Sequence, residues 1–304
     1  MRFNLWKLDF VRVSRYAFMV SAAITLAGVI ALVALGLNYG IDFSSGTTVD
    51  VNLTRQLNVS DVEAFLDQHR GEWGDYTVTV GSQRVTIRFK DVLDGQHQTA
   101  FREAFQANLD DGASFEINTV GADIAREQQR KALWGIFWAS LGILLYVTVR
   151  FEWRFAVAAV ISLLHVVFVV VSLFSLFRVE VNLPFIVAVL TILGYAINDT
   201  VVIFDRIREN LRFAKIKTKA DLARLVNESI QQTLTRSITT VLMVLVGAVS
   251  LYLLGSESIR PFSLAIIIGL IAGAYSSIFI ASPLWLALRS RMKPKKTAKA
   301  PAAS

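Results

Sequence analysis

Six stretches of the chain are apolar for long enough to cross a bilayer: 16–37, 132–149, 155–177, 184–204, 238–254 and 262–288. A hydrocarbon core about 30 Å thick takes roughly 20 helical residues at 1.5 Å each, so every stretch predicts one spanning helix. The insert at 38–130 has a different rhythm. Alternating apolar positions predict strands at 47–53, 76–80, 84–89 and 114–120, with a Gly-Ser-Gln turn joining the middle pair into a hairpin. Helical spacing predicts helices at 60–69 and 96–109, the first with Ser60 as N-cap and Glu63 completing a capping box. The order βαββαβ is that of a ferredoxin-like domain. The expected fold is therefore an α-helical polytopic membrane protein with six transmembrane helices and one extracytoplasmic α+β ferredoxin-like domain.

Charge fixes the expected topology. The chain carries a net +7, but the basic residues sit beside the apolar stretches, which points to a membrane boundary and not to nucleic acid. Four Lys or Arg precede position 16, eight lie in 205–236, and six lie in 289–304 without any acid. By the positive-inside rule these segments are cytoplasmic. The resulting organisation is a cytoplasmic tail at 1–15, a first span at 16–37, an outer domain at 38–130, a five-helix bundle at 131–288 with a cytoplasmic loop at 205–236, and a basic cytoplasmic tail at 289–304. The outer insert holds 8 basic and 15 acidic residues, a polarity opposite to that of the tails. The first span is too long for a signal peptide and no small-residue cleavage site follows it, so it reads as a retained anchor.

Conventional catalytic chemistry has little to build on. The absence of cysteine excludes disulfides, thiolate metal sites and thiol nucleophiles. No Walker A, GxGxxG, GxSxG or HExxH pattern occurs, and His69 and His97 have no partner at metal-ligand spacing. Neither an enzyme, a metal nor a bound cofactor is expected. The informative residues are polar groups inside the spans. Asp199 lies about 22 Å along the fourth helix from Pro184 and about 9 Å from Asp205, well within the apolar layer, where a carboxylate costs about 3 kcal/mol. Arg236 lies about 28 Å from the outer end of the fifth span, at a similar depth. The residues alone leave two readings of Asp199, a protonatable carrier or a static buried ion pair, and Arg236 can alternatively snorkel to the headgroups. Asn198, Gln232 and Thr239 are candidate polar neighbours along the same path, and His165 in the third span is either a relay or a packing residue. In the sixth span Ala265, Gly269, Gly273 and Ser277 recur every four residues, a small-residue ridge that lets a helix of this chain or of a partner approach closely.

Gly40-Ile41-Asp42-Phe43 before the insert, the run from Gly194 to Asn210 with its Asn-Asp-Thr and Asp-Arg-Ile-Arg-Glu-Asn parts, Gln232 to Ser237, Pro261-Phe262-Ser263 and Tyr275-Ser276-Ser277 occur in an order that resembles SecF, of the SecD/SecF family of protein-export membrane proteins within the resistance-nodulation-division superfamily. That resemblance covers nearly the whole chain. It implies a subunit of the bacterial inner membrane, both termini cytoplasmic, that works with SecD on late, extracytoplasmic steps of translocation through SecYEG. It also implies coupling to the proton-motive force, with Asp199 and Arg236 in the proton pathway. The translocating preprotein, YajC and a YidC-like insertase are the further partners it implies. Two positions depart from the family pattern: Ser45 stands where the motif has the first glycine of a pair, and Val166 stands where aspartate often follows the histidine. A left-handed backbone at Ser45 would be strained. The competing functions are a proton-coupled exporter of small or lipidic molecules and a non-transporting membrane scaffold.

Overall fold

The computed structural model describes residues 9–81, 83–256 and 259–290. The chain divides into a helical unit, containing residues up to 37, 136–179 and 184 onward, and an α/β unit made of 38–135 with 180–183.

Among the described residues, six helices are long and apolar enough to cross a membrane, and they lie in, or run on into, the helical unit. They are α1 (Phe10–Leu35), α6 (Ala122–Arg150), α7 (Trp153–Leu176), α8 (Leu183–Phe213), α9 (Lys219–Leu254) and the continuous span Arg260–Ser290. The last consists of α10 (Arg260–Ser276), a π-helical turn (Ser277–Ala281) and α11 (Ser282–Ser290). Several helices outrun their apolar stretches. At 1.5 Å per residue α8 and α9 are about 46 and 54 Å long, so their ends pass beyond a 30 Å hydrocarbon layer. The segment 205–236 is accordingly mostly helix, with only 214–218 between α8 and α9. A capping box starts α9: the Asp221 N–H donates to Thr218 Oγ1 at 3.1 Å and the Thr218 N–H donates to Asp221 Oδ2 at 2.9 Å. One buried cluster, which includes Phe155, Phe204, Val226, Ile230 and Trp285, holds one end of this unit, with the Phe155 and Trp285 rings stacked at 4.6 Å. Gly28 of α1 lies so near α7 that a Cβ there would stand 2.2 Å from Ser172 Oγ.

In the α/β unit, a four-stranded antiparallel sheet has the order β3-β4-β2-β5, formed by β3 (Tyr76–Val80), β4 (Arg84–Phe89), β2 (Gly46–Asn52) and β5 (Ser114–Val120). Three strands coincide with the alternation in the sequence, because alternate residues enter one aromatic core. Val49, Val51, Val85, Ile87 and Phe89 meet Phe65, Trp73, Phe101 and Phe105, which come from α3 (Val59–Gln68), α4 (Arg70–Trp73) and α5 (Gly95–Asn108). Ser60 is not the N-cap of α3. The helix starts one residue earlier, with Asn58 at the cap and its amide turned to Asp61 Oδ2 at 3.2 Å, so the Ser60–Glu63 capping box does not form. Asp94 caps α5, accepting the His97 N–H at 2.9 Å.

The Gly-Ile-Asp-Phe segment folds as a short helix, α2 (Ile41–Ser44), after β1 (Asn38–Tyr39). A parallel pairing of β1 with β6 (Glu180–Val181) brings distant segments together, and Gly40 N–H donates to the Val181 carbonyl at 2.9 Å. A Cβ on Gly40 would stand 2.2 Å from Glu180 Oε1, and the Asp42 carboxylate accepts the Leu183 N–H at 3.0 Å. The motif is thus a clasp between β1 and the strand that leads into α8. Ser45 follows at φ 63° and ψ 162°, a region nearly confined to glycine. Its hydroxyl makes no hydrogen bond among the described residues, so Ser45→Gly relieves strain and breaks no bond. The expected result is a gain of about 1 kcal/mol, after allowing for the larger chain entropy of glycine, read as a higher unfolding midpoint of the α/β unit. A lower midpoint would show that the strain is not stored there.

Candidate functional site

Asp199 lies on the buried side of α8, 9% exposed, and lines a cavity of about 20 Å³ with Tyr195, Asn198, Arg236, Thr240 and Gly273 among its other walls. That volume accepts roughly one water molecule. Two small residues on α10 make room for α8. A Cβ on Gly269 would stand 2.4 Å from Ile192 side-chain carbons, and one on Gly273 would be 3.4 Å from Ala196 Cβ. The small-residue ridge, with Ala265 and Ser277 buried in the same line, is therefore occupied within this chain by α8.

The carboxylate and the guanidinium share the cavity without touching. Arg236 and Asp199 line the same cavity, yet the two form no ion pair, and Asp199 Oδ2 is buried without a hydrogen bond. Ser237 lies beside the carboxyl, but its own hydroxyl is buried and unbonded in this arrangement. A buried acceptor and a buried donor left open at one spot are costly, about 1–3 kcal/mol each, so such a site tolerates a proton or a water readily. Next along α8, Thr200 Oγ1 and Ser277 Oγ are 2.8 Å apart, and Ser276 Oγ meets Ser162 Oγ at 2.8 Å. These hydroxyl pairs join α7 and α8 to the junction of α10 with its π-helical turn, a feature that often marks functional positions.

The other residues singled out from the sequence scatter. Asn198 lines the cavity from its exposed side. Thr239 is exposed and is not among the lining residues, where Thr240 takes its place, with its hydroxyl bonded to the Arg236 carbonyl at 2.9 Å. Gln232 belongs to a separate pocket, accepting from Asn210 Nδ2 at 3.1 Å. His165 stands on α7 with its ring 6.2 Å from that of Tyr275, and both its ring nitrogens are buried without a hydrogen bond. The Tyr275 hydroxyl is engaged elsewhere, donating to the Ala17 carbonyl at 2.6 Å. Tyr195 and Ser237 are the additions of the structure. Only their spacing from Asp199 and Arg236 could have signalled them. In the α/β unit His69 stacks on Trp73 at 4.5 Å and His97 Nδ1 lies 2.8 Å from Asp94 Oδ1.

Known proteins align with this chain over nearly its full length. The family described as protein export membrane protein SecD/SecF, C-terminal, matches residues 100–291, and the SecD/SecF GG motif matches 30–56, the segment of the clasp. A protein translocase subunit SecF from Alicyclobacillus acidocaldarius is 43% identical over 295 residues, covering 96% of both chains. The protein translocase subunit SecDF of Bacillus subtilis is 42% identical over 96% of this chain but only 40% of its own length. Among solved structures, the translocon-associated SecDF of Thermus thermophilus superposes with a TM-score of 0.85 at 33% identity, covering 93% of this chain and 39% of that one. The chain thus spans about two fifths of the two SecDF proteins and 96% of the separate SecF subunit. With a matched family covering most of its spans and a relative 43% identical over 96% of both chains, the chain belongs to the SecD/SecF family of protein-export membrane proteins.

Proposed function

We propose that the chain is the SecF-type half of an accessory complex of the Sec translocase, and that it uses the proton-motive force to promote late, extracytoplasmic steps of export. One observation carries the coupling: a buried carboxylate, Asp199, with an open oxygen, shares a water-sized cavity with a guanidinium to which it is not paired. A structural ion pair would bring the two charges into contact. Held apart, they leave the carboxylate able to exchange a proton, with Arg236 biasing its charged form. One proton crossing 100 mV supplies roughly 2.3 kcal/mol, which is about fiftyfold in a conformational equilibrium.

The surface of the helical unit supports a membrane-embedded partner. Asn198 on α8 and Arg236 on α9, both in the wall of the Asp199 cavity, are exposed in the single chain. Lipid does not satisfy such groups, so a second helical bundle is needed to cover them. The fused relatives carry both halves in one chain, and here SecD is the partner that fits, with SecYEG and the translocating preprotein beyond it. Loop charges put both termini on the cytoplasmic side of the bacterial inner membrane and the α/β unit outside. The βαββαβ order and the sheet order of that unit support a ferredoxin-like domain.

In vesicles containing the chain, SecD and the translocon, export stimulation should track an imposed proton gradient and vanish with a protonophore. Undiminished stimulation in the absence of that gradient would overturn proton coupling.

A further inference from the structure

Three guanidinium groups at one end of the helical unit have no counter-charge in contact among the described residues. Arg12 and Arg15 project from the first turns of α1 and Arg224 from α9, and they line an open cavity of about 570 Å³. None of the three forms an ion pair among the described residues. Among the described residues of the wall the one acid, Asp9, serves as the N-cap of α1, with its Oδ1 accepting the Arg12 N–H at 3.0 Å. Asp221, the acid acting on Arg224 from the same helix, has its carboxylate held by the Thr218 and Lys217 N–H groups. The cavity is also braced: the Phe10 N–H donates to Asn227 Oδ1 at 2.7 Å, which ties the start of α1 to α9.

Its position in the membrane identifies the chemistry. The apolar run of α1 begins at Tyr16, so Arg15 and Arg12 sit about 1.5 and 6 Å outside it, at the depth of lipid phosphates. On the same helical face, Tyr16, Met19 and Leu26 are exposed, 67%, 60% and 64%, and continue the cavity as an apolar track into the bilayer. Concentrated positive charge at the headgroup level beneath an exposed apolar track matches a ligand that is anionic at one end and acyl at the other.

We propose that the cavity between α1 and α9 is a binding site for the headgroup phosphate of an anionic phospholipid, held by Arg12, Arg15 and Arg224. The site fastens the end of α1 to the helix that carries Arg236, and it is separate from the Asp199 cavity. Soluble phosphates and acidic protein segments share the charge but lack the acyl part that the track accommodates.

Native mass spectrometry of the purified full-length chain, titrated with phosphatidylglycerol and phosphatidylcholine, tests it. Phosphatidylglycerol should be retained in preference. Each of Arg12→Gln, Arg15→Gln and Arg224→Gln should weaken that retention about fivefold, and all three together about a hundredfold. Replacing the three by lysine should preserve most of it, which separates loss of charge from loss of fold. Lys217→Gln, on the same side but outside the cavity wall, should change nothing. The proposal fails if Lys217→Gln weakens retention as much as the cavity variants do, or if the triple glutamine variant keeps the preference. It also fails if glycerol 3-phosphate, which has no acyl chain, binds as tightly as phosphatidylglycerol, or if co-purified SecD displaces the lipid.

Discussion

Asp199→Asn is expected to fold and assemble as the parent chain does, and to lose the gradient-dependent part of export completely. The side chains are nearly the same shape, so the packing of α8 against Gly269 and Gly273 is preserved. Neutralisation removes a charge from a buried position and adds an amide donor beside the unbonded Ser237 hydroxyl, changes that offset one another within about 2 kcal/mol. Titration, in contrast, is abolished outright. In vesicles with an imposed proton gradient the variant should support only the basal, ATP-driven early translocation, at the level of vesicles lacking the complex. Full stimulation with Asn at this position would take Asp199 out of the mechanism and leave the scaffold reading standing.

The contrast between what the sequence conveys and what it withholds has physical causes in this chain. Strands 76–80, 84–89 and 114–120 are legible to the residue, because each turns alternate side chains into the core around Phe101. The β1–β6 pairing is not, since two residues on each strand carry no periodicity and the contact joins positions more than a hundred residues apart. Helix ends are blurred for a related reason. Hydropathy marks where lipid stops, whereas α8 runs on to Phe213 and α9 begins where the Thr218 capping box starts it. Within the site, the depth of Asp199 follows from counting residues along a helix. That Arg236 shares its cavity yet stops short of an ion pair depends on side-chain rotamers, for which a sequence has no signal. The ridge on α10 advertises close packing without naming the partner, and α8 of the same chain takes it.

That packing sets up the largest expected loss of stability. Gly269→Leu should disrupt the helical unit by about 3 kcal/mol or more, seen as a sharply lowered melting temperature and loss of a monodisperse species in detergent. A Cβ at this position already meets Ile192 Cδ1 and Cγ1 at 2.4 Å and Cγ2 at 2.7 Å, and three further carbons follow in leucine. Ile192 cannot swing aside, because a β-branched side chain in a helix has essentially one χ1 rotamer. The helices must part, and overpacking on this scale costs more than the usual 1–3 kcal/mol. Since α8 carries Asp199 and the wall of its cavity, the separation should abolish coupling as well. Gly273→Ala is the contrasting case: its Cβ would touch Ala196 Cβ at 3.4 Å, an ordinary contact, so the unit should tolerate it, with a helix-propensity gain of up to about 1 kcal/mol. If the clash is the cause, shortening its partner relieves it, and Ile192→Ala combined with Gly269→Leu should recover much of the melting temperature that Gly269→Leu loses. Parental stability of the single leucine variant would show that α8 and α10 do not meet at this glycine.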